Sequence, residues 1–175
     1  MQSAYREYHS TERALLKVKN DILKNMDIGH VRLPVLLDLS AAFDTVDHDI
    51  LIHRLQSLLG LRGTVLQWFR SYLRGRSQQV TINGALSKKF GLECGAPKGS
   101  CLGPLLFTIY ASKLFSIIIS RLPSAHSYAD DTQLYLSFRP LEGTCEAEAL
   151  DAMEKCSADI RLWMINVKLM LNDEK

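Results

Sequence analysis

The chain has 175 residues, 47% hydrophobic and 23% charged, which supports a folded core and excludes a disordered or collagen-like protein. Its net charge of +2 by itself points to no polyanion or membrane partner, yet that total hides an asymmetry. Residues 1–60 carry a net −1, residues 61–100 +6, residues 101–128 +2 and residues 129–175 −5. The positive block holds Arg62, Arg70, Arg74, Arg76, Lys88, Lys89 and Lys98 against the single acid Glu93, a composition able to bind a polyanion.

Ser10 or Thr11 can cap a first helix reaching about Asn25, with Leu15, Val18, Ile22 and Leu23 on one face. Val31 to Asp38 reads as a strand. Its continuous Val35-Leu36-Leu37 run predicts cover on both faces, with Pro34 near the start, where a missing donor matters least. Asp47 or Asp49 opens a helix carrying Leu51, Leu55, Leu58 and Leu59, which Gly60 ends. Thr64 opens another, ended by Gly75, whose stripe of Val65, Trp68, Phe69, Tyr72 and Leu73 is expected to be core rather than a base-stacking surface. Gln79 to Ser87 is a hairpin with Asn83-Gly84 as the two-residue turn. Gly91 to Gly103 is a loop zone. The apolar helix that follows, to about Ser120, carries Lys113 near its middle and is expected to be a buried helix of a soluble core with no membrane partner. His126 to Phe138 reads as strand, tight turn, strand, with Asp130 and Asp131 at the turn and Leu134, Leu136 and Phe138 alternating with polar positions. A last helix spans about Cys145 to Asn166, with Leu150, Met153, Cys156, Ile160, Trp163 and Met164 on one stripe, and Lys168 to Leu171 forms a short final strand.

The four cysteines form no C-x-x-C pair, and the N-terminus lacks the apolar core of a signal peptide, so reduced intracellular thiols are expected and a zinc site is not. His48 and His53 are five apart, poor spacing for one helical face, and read as surface residues. Segregated hairpins and helices argue for an α+β fold with helices packed on one face of a mainly antiparallel sheet.

Asp38 ends an apolar strand, and Asp130 and Asp131 sit at a turn, each an ordinary place for an aspartate. Their combination is less ordinary. Adjacent carboxylates repel and raise each other's pKa unless a cation intervenes. If the strand ending at Asp38 pairs beside the hairpin, three carboxylates meet at one sheet edge, a cluster suited to Mg²⁺. Two such ions about 3.5–4 Å apart serve phosphoryl transfer, which leaves polymerase, nuclease and phosphatase open.

Three segments in order narrow this. Leu36-Leu-Asp38-Leu-Ser-Ala-Ala-Phe43-Asp44 resembles the first catalytic motif of reverse transcriptases, Gly95-Ala-Pro97-Lys98-Gly99-Ser100 their second, and Tyr128-Ala-Asp130-Asp131 their Tyr-x-Asp-Asp box. The text around them, including Gln67-Trp-Phe-Arg-Ser-Tyr-Leu-Arg-Gly-Arg-Ser, is similar to non-LTR (LINE-type) retrotransposons, and the resemblance runs from Gln2 to Lys175. It implies a single partial reverse transcriptase domain over 1–175: a polymerase palm-like antiparallel sheet, partial fingers and no thumb. It implies RNA-directed DNA polymerase chemistry with an RNA template, a DNA primer, dNTP and Mg²⁺. Asp38 and Asp130 would be the principal metal ligands, assisted by the Leu39 carbonyl, and Asp131 would complete the acidic cluster. Phe43 would lie under the incoming sugar and obstruct a 2′-hydroxyl. Gly95, Pro97, Lys98 and Gly99 would shape a loop against nucleotide and template. The resemblance also implies an intracellular, nuclear location.

The chain departs from that pattern at Lys98, where the family usually has Gln, at Cys101, where Val is usual, and at Ala111-Ser112-Lys113. The family's fingers are expected mostly upstream of Met1 and its thumb beyond Lys175. Two other readings therefore stand beside the polymerase: a truncated, inactive retrotransposon remnant with at most nucleic-acid or partner binding, and another Mg²⁺-dependent phosphotransferase.

Overall fold

The structure, a computed structural model, describes residues 10–97, 99–122, 124–128, 131–140 and 145–172, and of 124–128 and 131 the backbone. In chain order the elements are α1 (Thr11–Asp27), β1 (Val31–Leu37), β2 (Leu39–Ser40), α2 (His48–Leu59), α3 (Gly63–Leu73), β3 (Ser77–Gln78), β4 (Thr81–Ile82), β5 (Ala85–Leu86), β6 (Phe90–Gly91), α4 (Gly103–Arg121), β7 (Ser124–Tyr128), β8 (Asp131–Phe138), α5 (Cys145–Asn166) and β9 (Met170–Leu171). They form an α+β fold in two compact units, one made of the chain up to Ser40 and from Ser112 onward, the other of Ala41–Ala111.

The first unit holds a three-stranded antiparallel sheet in the order β1-β8-β7, and a short antiparallel ladder of β2 with β9. β7 and β8 pair antiparallel from Ser124–Tyr135 to Tyr128–Asp131, the strand pairing that the hairpin pattern predicts, and Asp131 belongs to β8. β1 is not covered on both faces as its apolar run predicts, since Leu36 is 72% exposed and Pro34 is also exposed, and it lies at an edge of the sheet. A run of Val and Leu cannot say whether anything packs on the strand's second face. The edge position explains how Pro34 is tolerated, since one side of β1 needs no ladder donor. β8 is central, with Leu134 and Tyr135 both buried, so it lacks the simple alternation expected of it.

α5 runs over the predicted range and buries Met153, Cys156, Ile160, Trp163 and Met164 at helical spacing. Its stripe begins at Ala149 rather than at the exposed Leu150. Burying a large apolar side chain contributes roughly 1.5–3 kcal/mol, so the Met153, Ile160 and Met164 positions help to stabilise the unit. α1 starts at a Ser10 cap, whose Oγ accepts from the Arg13 N–H at 3.2 Å. It buries no residue, and Leu15, Leu16 and Leu23 stay exposed. Its link to the sheet includes Asp21, 3.9 Å from the Arg32 guanidinium of β1. That guanidinium lies 4.1 Å from the ring centroid of Tyr135, whose hydroxyl donates to Gln133. Burial raises the Tyr135 pKa, and the Arg32 charge partly offsets the rise.

In the second unit, Asp47 caps α2 by accepting from the Asp49 and Ile50 N–H groups at 3.0 Å, and Gly60 closes it at φ 67°, as predicted. Leu51, Ile52 and Leu55 are buried while Leu58 and Leu59 stay exposed. α3 buries Leu66 and Leu73, and Trp68 is 52% exposed. The predicted core stripe thus straddles the buried face and the outer face. With six apolar residues on one short helix, Leu66 among them but outside the predicted stripe, periodicity marks an amphipathic helix but not which side of it is covered. Beyond α3, Ile82 pairs with Ala85 across Asn83-Gly84, both at positive φ (49° and 83°), the conformation a two-residue hairpin turn needs.

α4 is the one helix among the described residues long and apolar enough to cross a membrane. Leu106, Phe107, Tyr110, Leu114 and Ile118 form a buried stripe along it, the pattern of a core helix, while Leu105 and Ile119 are exposed.

Candidate active site

In the first unit β1 ends one residue before Asp38, and β8 begins at Asp131. Leu37 pairs with Thr132, so in an antiparallel ladder Asp38 and Asp131 flank that pair at the same end of the sheet. This is the convergence of strand end and hairpin that the sequence predicts. Asp130 and Lys98 lie outside the described residues. Among the described residues no group of three His, Cys, Asp or Glu is placed to hold a metal.

Asp38 is held in place by β9's end. Its carbonyl accepts from the Asn172 N–H at 2.9 Å, and its Oδ2 accepts from Asn172 Nδ2 at 3.0 Å. Asn172 was not singled out by its sequence context. No motif marks it, and its partner is 134 positions away. Pairing of Leu39 with Leu171 and Ser40 with Met170 brings the two segments together. Asp38 and Asn172 line a cleft of about 660 Å³, together with Gln133, Ser157, Arg161 and Leu37. Asp38 brings a carboxylate, whose oxygens are the ligands a hard divalent cation prefers, to the end of the sheet that the backbone register also gives to position 131.

In the second unit the loop after β6 is fastened to the segment after Ala41. The Gly95 N–H donates to the Val46 carbonyl and the Ala96 N–H to the Phe43 carbonyl, both at 2.8 Å. Gly95 has φ +93°, and a Cβ there would meet the Asp44 carbonyl oxygen at 3.1 Å. Only glycine combines this backbone angle with that approach. His48 is buried, not a surface residue as its spacing suggests; its Nε2–H donates to the Gly95 carbonyl at 2.9 Å. Pro97 and Gly99 follow, with Ser100 Oγ donating to the Pro97 carbonyl at 2.7 Å and accepting from the Gly103 N–H that opens α4. Phe43 is half-buried, its ring centroid 4.9 Å from that of Phe107. Tyr110 accepts from the Asp47 N–H at 3.2 Å and lies under the buried Arg54, whose pKa burial lowers. One network therefore ties the Phe43 segment, the start of α2 and the Gly95 loop to α4.

A sequence profile described as reverse transcriptase (RNA-dependent DNA polymerase) matches residues 1–175. The RNA-directed DNA polymerase from mobile element jockey of Drosophila funebris is 28% identical over 179 residues, covering 99% of this chain. The corresponding jockey protein of Drosophila melanogaster is 26% identical over 181 residues, again with 99% of this chain covered. This chain spans 19% of the length of each. Among solved structures, apo telomerase from Candida tropicalis truncated from its C-terminal domain superposes with a TM-score of 0.66 at 14% identity, covering 99% of this chain and 35% of that one. At that identity the likeness is one of fold.

Proposed function

The chain belongs to the reverse transcriptase (RNA-dependent DNA polymerase) family, and from that premise we propose that it supplies the palm of a template-directed polymerase adding dNTPs to a primer 3′-hydroxyl. The observation that carries this reading is the register that brings Asp38 and Asp131 to one end of the sheet. The proposed reaction is attack of the primer 3′-oxygen on the α-phosphorus of a dNTP, paired to an RNA template, with pyrophosphate as the leaving group.

Asp38, Asp130 and Asp131 would hold two Mg²⁺ ions. When bound, the ions supply the positive charge that attacking and leaving oxygens need in phosphoryl transfer. Asn172 orients the Asp38 carboxylate through its amide, so that the side chain does not have to be ordered at each turnover. Phe43 stands under the incoming sugar in this reading, and its contact with Phe107 limits its freedom to move aside for a 2′-hydroxyl. Gly95, Pro97, Lys98 and Gly99 form the wall against nucleotide and template. The hydrogen bonds from His48 and to Val46 support that loop. The same reading places the protein's action in the nucleus, where the target DNA of a retrotransposon lies.

Primer extension on an RNA template with Mg²⁺ and dNTPs tests the reading. Extension by the wild type, lost in Asp38→Asn and in Asp130→Ala, is expected. A folded chain that does not extend would leave the inactive remnant as the better account. Hydrolysis of simple phosphate esters without template would favour the phosphotransferase.

A further inference from the structure

We propose that the outer face of α3 is a stacking platform for a single-stranded polynucleotide, with Trp68 as the stacking ring and Arg76 as a phosphate contact. This rests on the nucleic-acid reading above and goes beyond the metal site. The indole of Trp68 is half exposed yet held: its ring lies nearly parallel to that of Tyr72, with centroids 5.3 Å apart and 12° between planes, and makes a T-shaped contact with Phe69 at 5.0 Å and 85°. A ring fixed by two neighbours loses little further freedom when a base stacks against its exposed surface. Leu66 and Leu73 already anchor the opposite face of the helix, so Trp68 is not needed for that core.

Charge selects the occupant. The +6 block in which α3 lies contains one acid, Glu93. Arg74 is engaged by Asp49 at 2.6 Å, whereas the Arg76 guanidinium lies 5.9 Å from the Tyr72 ring centroid at the end of the same stripe. An aromatic stripe ending in a cation and set in a basic segment complements a chain of bases and phosphates.

Affinity for a labelled single-stranded oligouridylate is measured by fluorescence anisotropy on the full 175-residue chain, with thermal melting of every variant. Trp68→Ala is expected to weaken binding about tenfold, and Trp68→Phe, which keeps a ring, by less than about threefold. Arg76→Gln should reduce the salt dependence by roughly one phosphate contact. Binding of inorganic polyphosphate, which has no bases, should not respond to Trp68→Ala. Undetectable oligouridylate binding by the folded wild type, unchanged affinity in Trp68→Ala, or an equal loss for polyphosphate would each overturn the platform. So would a self-association removed by Trp68→Ala while oligouridylate affinity stays the same, because that would identify a protein contact. Asp38→Asn separates the two readings: it should bind oligouridylate like the wild type. Binding without any wild-type extension would sink the polymerase and leave the platform standing.

Discussion

Asn172 and Asp38 are joined twice, backbone N–H to carbonyl at 2.9 Å and side-chain amide to carboxylate at 3.0 Å, although 134 positions separate them. The backbone bond extends the β2–β9 ladder, and the amide bond fixes one carboxylate oxygen. An amide N–H bonded to an ionised carboxylate oxygen is stronger than a bond between two neutral groups.

Asn172→Ala should therefore keep the backbone bond and lose the orientation of Asp38. Partners in the shell around metal ligands typically contribute about 10- to 100-fold to activity or metal affinity. The expected outcome is a fall of that size in primer extension, with a higher Mg²⁺ concentration needed for half-maximal rate. A lower melting temperature with an unchanged Mg²⁺ requirement would show that the amide only holds the chain together.

Gly95→Ala should destabilise the second unit. The left-handed backbone angle costs a non-glycine residue about 1–3 kcal/mol, and the 3.1 Å approach to the Asp44 carbonyl adds to it. His48→Ala, which removes the donor to the Gly95 carbonyl, should cost about 1 kcal/mol or somewhat more. Urea unfolding measures both. A Gly95→Ala protein as stable as the wild type would mean that the loop relaxes to another conformation.

Leu134 and Leu36 test which positions of the sheet are covered. Leu134, fully buried on the central strand, should lose about 2–5 kcal/mol on replacement by Ala. Leu36 on β1, largely exposed, should change stability by no more than about 0.5 kcal/mol. Similar losses in the two variants would show β1 to be covered after all.

Thiol reactivity follows exposure. Cys94 and Cys101 are exposed and should react first with an alkylating reagent, whereas Cys156 is buried and should react only on unfolding. Burial, and secondarily Asp159, raises the Cys156 pKa. Its protonated form is thus favoured by folding. That contribution is complete below the ordinary thiol value and declines as pH rises toward the raised one. Mass spectrometry of a labelling time course at neutral pH checks the order. Early modification of Cys156 in the folded chain would contradict the buried position.

Much of this protein was legible in its sequence by itself. Local chemistry determined the caps Ser10 and Asp47, the Gly60 stop, the Asn83-Gly84 turn and the span of α5, because each depends on residues a few positions apart. The ordered motifs around Asp38, Gly95 and Asp131 identified the family for the same reason: their spacing is written in the chain. Tertiary structure alone decided which apolar faces are covered. It left Leu36 of β1 exposed and turned Trp68 outward, since hydrophobic periodicity reports that a face is apolar and not what lies opposite it. It also buried His48 under the Gly95 loop and brought Asn172 to Asp38. Those partnerships arise from strand pairing and packing between distant segments, and a hydrogen bond across 134 residues leaves no local pattern for a reader of the sequence to find.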